Sequence, residues 1–187
     1  VLGSRGLGDV YKRQPLGVSS CSDEDEPTTE DNFTTEYTFE TEFSADLLKT
    51  ADVKAYVLSP EGTVTEETIT KAKNTWKLKG NSIPDKSGMM FEFDAKNGDF
   101  SGDYDLGYKV KTTVTCLNNG TVVSSKSDNS DETYTVSAEN LAGFYGTSLT
   151  LGGEVSADGE ASVTNGSDLD FGLNIGVPRP PFGRPKL

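Results

Sequence analysis

The sequence predicts an all-β protein built as an antiparallel β-sandwich, and three features of the chain lead to that prediction. Apolar and polar residues alternate with a period of two over many short segments. Turn residues such as Gly, Pro, Asn and Asp separate these segments at intervals of about 8–12 residues. Only residues 45–49 and 138–142 have a helical pattern, and no internal repeat indicates a propeller or solenoid. A small antiparallel β-barrel or a jelly roll is the alternative.

The first predicted strand begins at Phe33 and separates two kinds of side chain. Aromatic rings occupy odd positions, at Phe33, Tyr37, Phe39 and Phe43, whereas glutamates and threonines occupy most even positions. Successive side chains of a strand point to opposite faces, so this strand is expected to have one buried face and one solvated face.

Further strands are predicted at regular intervals along the chain. They cover residues 53–58, 63–70, 74–79, 89–93, 106–117, 121–125, 132–138, 148–155 and 160–164. Residues 106–125 give the strongest hairpin signal, because Asn119 and Gly120 both tolerate the positive φ of a primed turn. Cys116 falls in the alternating run of this hairpin and is expected to be a small buried core residue.

The segment Asp105-Leu106-Gly107-Tyr108 and the single tryptophan, Trp76, carry a resemblance to a known fold. The segment is similar to the Asp-x-Gly-x-Tyr corner of the immunoglobulin-like domains of small Bacteroidota surface lipoproteins, although its spacing is one residue short. The resemblance covers roughly residues 33–172. It implies an immunoglobulin-like sandwich in which Trp76 is the core tryptophan.

Composition and charge exclude several classes of function. The chain has 187 residues, no histidine and a formal net charge of −13, with a pI of about 4.4. Without histidine, no Ser-His-Asp triad, Cys-His dyad or histidine-containing metal site can form. The negative charge argues against nucleic acids and anionic membrane surfaces as partners. No cofactor is expected.

The two ends differ in composition from the body. Residues 15–173 contain no arginine and carry 11 lysines against 29 acidic residues. Residues 9–14 (DVYKRQ) resemble the translated mosaic end of a transposon used to prepare sequencing libraries. Residues 1–14 are therefore interpreted as a translated adapter on a metagenomic fragment. Residues 173–187 contain four of the eight prolines and are predicted to form a Pro-rich disordered tail.

Residues 15–21 resemble the end of a bacterial lipoprotein signal peptide. Two small residues, Ser19 and Ser20, precede Cys21, as in the site where the signal peptidase cleaves. The resemblance implies that the Cys21 thiol carries a diacylglyceryl group and that this lipid anchors the protein in the outer membrane. The alternative role of Cys21 is a disulfide with Cys116, the second of the two cysteines.

Residues 22–32 are predicted to form an acidic disordered tether after the cysteine. The tether begins with Ser22, Asp23, Glu24, Asp25 and Glu26. This run resembles the export signal that directs Bacteroidota lipoproteins to the cell surface. A solvated charge run without a targeting role is compatible with the same residues.

One acidic loop has a spacing that resembles a cation-binding loop. Asp94, Asn97, Asp99, Asp103 and Asp105 place oxygen atoms around two glycines, and Ca²⁺ binds six to eight such oxygens. The loop departs from the EF-hand pattern, since a lysine occupies its third position and no glutamate closes it. An acidic surface turn is the simpler interpretation, and no metal site is predicted.

Four aromatic residues are candidates for a glycan-binding surface, namely Trp76, Tyr104, Phe144 and Tyr145. Exposed aromatic rings offer both an apolar face and, in Tyr and Trp, a polar group. Trp76 is expected to be mainly internal, because the alternation places it on a buried face. Phe144 and Tyr145 are flanked by glycines and are expected in an exposed loop.

The expected function is that of a surface-anchored, noncatalytic outer-membrane lipoprotein that acts as a binding or structural interaction module with a glycan or protein partner. No catalytic residues are assigned, since the many carboxylates define no site. One alternative is a carboxylate-dependent glycoside hydrolase or its accessory subunit, which requires a pair of carboxylates in a cleft. The other is an adhesin or fimbria-associated subunit, which an unpaired apolar strand edge would favour.

Overall fold

The structure is a computed structural model that describes residues 31–172. The strands in this range are β1 (Phe33–Phe43), β2 (Ala51–Leu58), β3 (Val64–Ile69), β4 (Lys73–Gly80), β5 (Asp85–Ala95), β6 (Asp103–Asn118), β7 (Thr121–Ser137), β8 (Thr147–Val155) and β9 (Ala161–Thr164). The helices are α1 (Ala45–Thr50) and α2 (Leu141–Phe144), the second preceded by a 3₁₀ turn (Ala138–Asn140). No helix within residues 31–172 is long and apolar enough to span a bilayer.

The strands form two antiparallel sheets that do not close into a barrel, which confirms the predicted β-sandwich. The four-stranded sheet has the order β4-β1-β6-β7, and the five-stranded sheet has the order β3-β2-β5-β8-β9. In immunoglobulin domains the first two strands are neighbours in one sheet. Here β1 and β2 lie in different sheets, so the resemblance is one of layered architecture, and the strand order is this chain's own.

The core lies between the sheets and follows the predicted alternation. Tyr37, Phe39 and Phe43 of β1 are all buried, and the ring of Phe43 makes an edge contact with Phe91 of β5 at 5.4 Å between centroids. Cys116 of β6 has no exposed surface, as expected for a small core residue. Burial of these apolar side chains is the main stabilising contribution to such a domain.

The predicted hairpin at residues 118–120 is confirmed. Asn119 and Gly120 have φ values of 50° and 78°, the positive values of a primed turn. Residues 121–125 and 132–137 are strand, as predicted, but the predicted break between them is wrong, because β7 runs without interruption from Thr121 to Ser137. Its polar middle is held by continuous backbone pairing with β6, which has 16 residues.

Both predicted helical segments are present. Ser44 caps α1, since its Oγ accepts a hydrogen bond from the backbone N–H of Leu47 at 3.1 Å. The second segment forms the 3₁₀ turn and α2, and it buries Leu141 in the core.

The outer face of the five-stranded sheet carries a second apolar cluster. Tyr56, Leu58 and Met90 lie on this face and are covered by Leu169 and Phe171, which follow β9. The covering chain passes over a glycine pair, Gly88 and Gly152, which are opposite one another in β5 and β8. A Cβ atom on Gly88 would lie 2.1 Å from Leu169 Cδ1. The absence of a side chain at Gly88 therefore allows Leu169 to pack closely against the backbone of β5.

Candidate functional site

The residues predicted for anchoring and export lie outside the described range. Cys21 and the acidic residues 22–26 precede residue 31, as do residues 1–14, for which a translated adapter is predicted. The Pro-rich tail at 173–187 follows residue 172. Lipidation, export and the alternative Cys21–Cys116 disulfide therefore stay predictions.

The four candidate aromatic residues do not form an exposed surface. Tyr104 and Tyr145 are only 6% and 8% exposed, and Trp76 and Phe144 are half-buried on different elements. The predicted exposure of Tyr145 is wrong, because α2 turns its ring into the core, where its hydroxyl hydrogen-bonds with that of Thr50. Tyr104 is buried beside Phe100, with ring centroids 5.9 Å apart.

Trp76 lies on β4 at one side of the sandwich and packs against the core, as its alternation predicts. Its ring makes an edge contact with Phe91 at 5.8 Å between centroids. Its indole N–H donates a hydrogen bond to the carboxylate of Glu67 on β3. The ring therefore joins the edges of the two sheets.

The five residues of the acidic loop are not brought together as a set of metal ligands. Asp94 lies near the end of β5, whereas Asp103 and Asp105 lie at the start of β6. The carboxylate of Asp105 instead accepts a hydrogen bond from the Thr135 hydroxyl at 2.7 Å. Across residues 31–172, no group of three or more Asp, Glu, Cys or His side chains is close enough to hold a metal ion.

A polar cluster inside the sandwich was not predicted. Thr35 Oγ1 donates to Asp85 Oδ2 at 2.6 Å, and the Tyr37 hydroxyl donates to the other oxygen of the same carboxylate. Burial and then the hydrogen bond to Asp85 raise the pKa of Tyr37, and burial followed by the charge of Asp85 raises that of Cys116. Both groups are held neutral, whereas an activated nucleophile needs a lowered pKa.

The outer face of the four-stranded sheet carries rows of opposite charge. We call this surface the ion-pair face, and its charged residues are Glu36, Glu40, Glu42, Lys73, Lys77, Lys79, Lys109, Lys111 and Asp131. Acidic residues on β1 lie between lysines on β4 and lysines on β6, and Asp131 continues the pattern on β7. The alternation along each strand places all of these side chains on one face.

Four cross-strand ion pairs tie these rows together. Lys79 and Glu36 are the closest, with 2.7 Å between Nζ and Oε1. The Lys73–Glu42, Lys109–Asp131 and Lys111–Glu40 pairs have N–O distances of 3.4, 3.0 and 3.6 Å. Each pair joins residues that are direct partners in the strand register. The hydrogen bond that Lys109 donates to the carboxylate of Asp131 raises the pKa of the exposed Lys109.

A groove of about 440 Å³ lies on this face, beside the C-terminal end of β1. We call it the charged groove, and its charged lining residues are Glu40, Glu42, Lys73, Lys109, Lys111 and Asp131. Three lysines and three carboxylates balance one another there, although residues 31–172 contain 11 lysines and 24 acidic residues. The groove is therefore a neutral, mixed-charge surface on a strongly acidic domain.

The sequence contained part of the signal for this face. The even-numbered glutamates of β1 were predicted to face solvent, and lysines alternate at 73, 77 and 79. The pairing of β1 with β4 and with β6 joins residues more than thirty positions apart in the sequence. A pattern of neighbouring residues could therefore not predict which charges would meet on this face.

Comparisons with known proteins add little to this geometry. No family model matches the chain, and no curated protein matches it significantly. Four solved chains match it, among them the Clostridium perfringens alpha-toxin isolated from the avian strain SWCP. The alignment with the toxin has 19% identity and a TM-score of 0.22, and it covers 62% of this chain and 34% of the toxin. The chain thus spans about a third of the toxin's length, and a likeness at this TM-score carries no argument.

Proposed function

We propose that this protein is a noncatalytic interaction module, anchored at the bacterial surface through Cys21, that binds a protein partner through its ion-pair face. The observation that carries the proposal is the charged groove, in which lysines and carboxylates of neighbouring strands alternate in an open concave surface. Alternating charges on a rigid sheet favour a partner whose own charges are arranged in the complementary order.

The chemistry of the groove favours binding over catalysis. The general acid of a glycosidase is a carboxyl group kept protonated by an apolar pocket. Glu40, Glu42 and Asp131 are instead half-exposed, and each has a lysine within 4 Å. Exposed ion pairs stabilise a fold by only about 0–1 kcal/mol each, so a partner can exchange them for its own charges at small cost.

The nature of the partner follows from charge and from the position of the aromatic rings. A neutral glycan is held by stacking on exposed rings, and the four candidate rings are buried or half-buried. A polyanion would be repelled by the net charge of −13. A protein surface of mixed charge would complement the alternating charges of the groove, and a basic excess on it would be attracted by the net negative charge of the chain.

The proposed anchor is compatible with access to this groove. The chain enters the sandwich at Phe33, beside the hairpin turn, where the backbone N–H of Asn119 donates to the carbonyl of Asn32 at 3.0 Å. Glu40 and Glu42 lie seven to nine residues further along β1, about 23 to 30 Å from that entry at about 3.3 Å per residue. The groove therefore lies along the half of β1 that is farther from the point where the chain enters the sandwich.

Site-specific photo-crosslinking in intact cells tests the binding proposal. A photoreactive phenylalanine derivative at Thr75, on the ion-pair face, should give a discrete crosslinked product. The same probe at Thr68, exposed on the five-stranded sheet, should give none. Lys111→Glu should abolish the Thr75 product, whereas Lys54→Glu, which breaks an exposed ion pair with Glu66, should leave it unchanged. Equal products from both probe positions, or none from Thr75, would reject the ion-pair face as the binding surface.

The anchor is tested separately by metabolic labelling with radioactive palmitate. Wild-type protein should incorporate label and remain with the membrane fraction. Cys21→Ala should lose both properties, while Cys116→Ala should keep them. Label that persists in Cys21→Ala would contradict the anchor and leave the interaction proposal untouched.

A further inference from the structure

The inward face of β7 is polar, although it belongs to the interior of the sandwich. Asp128 and Ser130 of this strand are the register partners of Thr112 and Val110 of β6. Register partners share one face of a sheet, and Thr112 and Val110 are only 3% and 6% exposed. All four side chains therefore lie on the face that the sandwich encloses.

A cleft of about 250 Å³ lies between these residues and the five-stranded sheet. Its opposite wall is apolar and consists of Leu149 and Leu151 of β8 and Val163 of β9. Leu149 is the register partner of the buried Phe91 and so faces the interior, yet it remains half-exposed. The cleft thus combines a polar wall on β6 and β7 with an apolar wall on β8 and β9, and it is open to solvent.

The hydroxyl group of Thr112 has no partner within residues 31–172. Its backbone carbonyl accepts a hydrogen bond from the Ser127 hydroxyl at 3.1 Å, but its own Oγ1 takes part in none. Thr41 and Ser148 also have unpartnered hydroxyls, but theirs are fully enclosed, whereas Thr112 lines the cleft. A buried polar group without a partner costs free energy, so a ligand that supplies a donor to Thr112 gains from the contact.

Asp128 lies beside Thr112 and is not paired either. Its side chain is exposed, and none of the ion pairs formed within residues 31–172 includes it. Lys126, on the same face of β7, is not among the residues that line the cleft, and none of the lining residues is basic. The cleft therefore carries a negative charge that the fold does not neutralise.

Protection of the sheet edge explains only part of this polar wall. β7 is an edge strand of its sheet, and an inward-pointing charge such as Asp128 discourages pairing with other chains. Thr112 lies on β6, which has β1 and β7 on either side and needs no such protection. Its unpartnered hydroxyl is therefore the independent indication of a ligand.

The two walls together suit a cation on an apolar stem. An unpaired carboxylate favours an ammonium or guanidinium group, which can also donate to a hydroxyl oxygen. Asp128 and Thr112 are close enough to bind one such group together, because register partners have Cβ atoms about 5 Å apart. The methylene groups of lysine and arginine pack on apolar surface of the kind that Leu149 and Leu151 offer.

The size and position of the cleft indicate where that cation comes from. Its volume is below the roughly 300–1,000 Å³ of pockets for whole drug-sized ligands, and it suits a single side chain. The cleft also adjoins the charged groove, since Val110, Asn129 and Ser130 line both. A protein in the groove therefore reaches the cleft by passing around the edge of β7.

We propose that the cleft binds a lysine or arginine side chain of the partner that occupies the charged groove. The inference rests on the proposed function and adds the residue type that the partner presents. The cationic group donates hydrogen bonds to the Asp128 carboxylate and Thr112 Oγ1, and the stem packs on Leu149, Leu151 and Val163.

An NMR titration of the full chain with n-butylammonium, which has the stem and charge of a lysine side chain, tests the cation site. We expect saturable shifts of the methyl signals of Leu149, Leu151 and Val163. The dissociation constant should be about 10 mM, as expected for so small a ligand. n-Butanol, which has the same stem without the charge, should bind at least about tenfold more weakly.

Three variants separate a binding role from a structural one. Asp128→Asn should weaken n-butylammonium binding at least about tenfold, because the carboxylate charge is lost. Asp99→Asn, an equal change of charge at an exposed position outside the cleft, should bind like wild type. Thr112→Val should weaken binding about fivefold and yet raise the urea midpoint of unfolding, since it removes an unpartnered hydroxyl. A threonine with a purely structural role would not show both effects.

The photo-crosslinking experiment connects the cleft with the partner. Asp128→Asn should diminish the crosslinked product of the probe at Thr75, whereas Asp99→Asn should leave it unchanged. The inference is overturned if n-butylammonium shifts no methyl signal of the cleft or binds no better than n-butanol. It is also overturned if the Thr75 product is undiminished in Asp128→Asn.

Failure of the proposed function gives a different result. The wild-type chain would then yield no Thr75 product, while n-butylammonium would still bind in the cleft. That outcome would reject the partner as the source of the basic side chain and leave the cation site itself established.

Discussion

The outer faces of the two sheets differ in how they are stabilised: one is charged and exposed to solvent, and the other is apolar and covered by the chain that follows β9. The ion-pair face of the four-stranded sheet is left to solvent, with exposed lysines and carboxylates paired across its strands. The five-stranded sheet has Tyr56, Leu58 and Met90 on its outer face and needs a cover, which Leu169 and Phe171 supply. A polar face can serve as a binding surface at little cost to the fold, whereas an apolar face must be buried to be stable.

The difference predicts where the domain is sensitive to mutation. Burial of apolar surface contributes about 25 cal/mol for each Å², so covering several large side chains contributes several times more than one exposed ion pair. Changes under the cover should therefore unfold the domain more readily than changes on the ion-pair face. Three experiments test this ranking, in order of decreasing effect.

The largest effect is expected from Gly88→Val, under the covering chain. A Cβ atom at this position would lie 2.1 Å from Leu169 Cδ1 and 2.6 Å from the carbonyl oxygen of Leu151. The leucine side chain can move, but the carbonyl belongs to the paired strand β8 and cannot move without disturbing the sheet. We expect a loss of about 3 kcal/mol in the free energy of unfolding, measured by urea denaturation.

Gly143→Val is the matched control for that substitution. Gly143 lies in α2, and a Cβ atom there would have nothing within 4 Å apart from its own helix. Its unfolding free energy should stay within about 0.5 kcal/mol of wild type, as for most exposed positions. A similar loss in both variants would mean that the cover does not fix the packing over Gly88.

An intermediate effect is expected at alkaline pH from Tyr56, which lies under the same cover. Burial and then the hydrogen bond to Glu92 raise the pKa of Tyr56 to about 12. Because the folded pKa is above the unfolded value of about 10, the neutral tyrosine stabilises the fold fully below pH 10. That contribution is lost as pH rises through 12, and we expect it to be about 2 kcal/mol.

Urea unfolding of wild type and Tyr56→Phe at pH 9 and pH 12 measures this contribution. All other ionisable groups are the same in the two proteins, so the difference between the two pH dependences belongs to Tyr56. Wild type should lose about 2 kcal/mol more than the variant over this range. Equal losses would show that the Tyr56 hydroxyl titrates as in the unfolded chain.

Local pattern was sufficient for much of the fold. The alternation in β1 predicts which face is buried, and Asn119-Gly120 predicts the hairpin, because both depend only on neighbouring residues. The unbroken β7 could not be predicted in this way, since its polar middle is fixed by backbone pairing with β6. The burial of Tyr145 was missed for a related reason, because it depends on a contact with Thr50, 95 residues away.

The covered face did leave a signal in the sequence. Tyr56-Val57-Leu58 in β2 and Met89-Met90-Phe91 in β5 are consecutive apolar residues, which a strand with one solvated face does not have. Such runs indicate a strand buried on both faces. The identity of the cover was not predictable, because Leu169 and Phe171 are far from both strands in sequence.

The smallest effect is expected on the ion-pair face, between Glu40 and Lys111. Their charged atoms are 3.6 Å apart, and their side chains are 47% and 54% exposed, so water and salt screen the attraction. A double-mutant cycle with Glu40→Ala, Lys111→Ala and the double variant should give a coupling of about 0.5 kcal/mol in urea unfolding at low salt. The coupling should fall further at about 1 M salt, where the Debye length is about 3 Å. A coupling of about 2 kcal/mol or more that persists in salt would mean that the pair is needed for the fold. The ion-pair face could not then exchange its charges with a partner as readily as we propose.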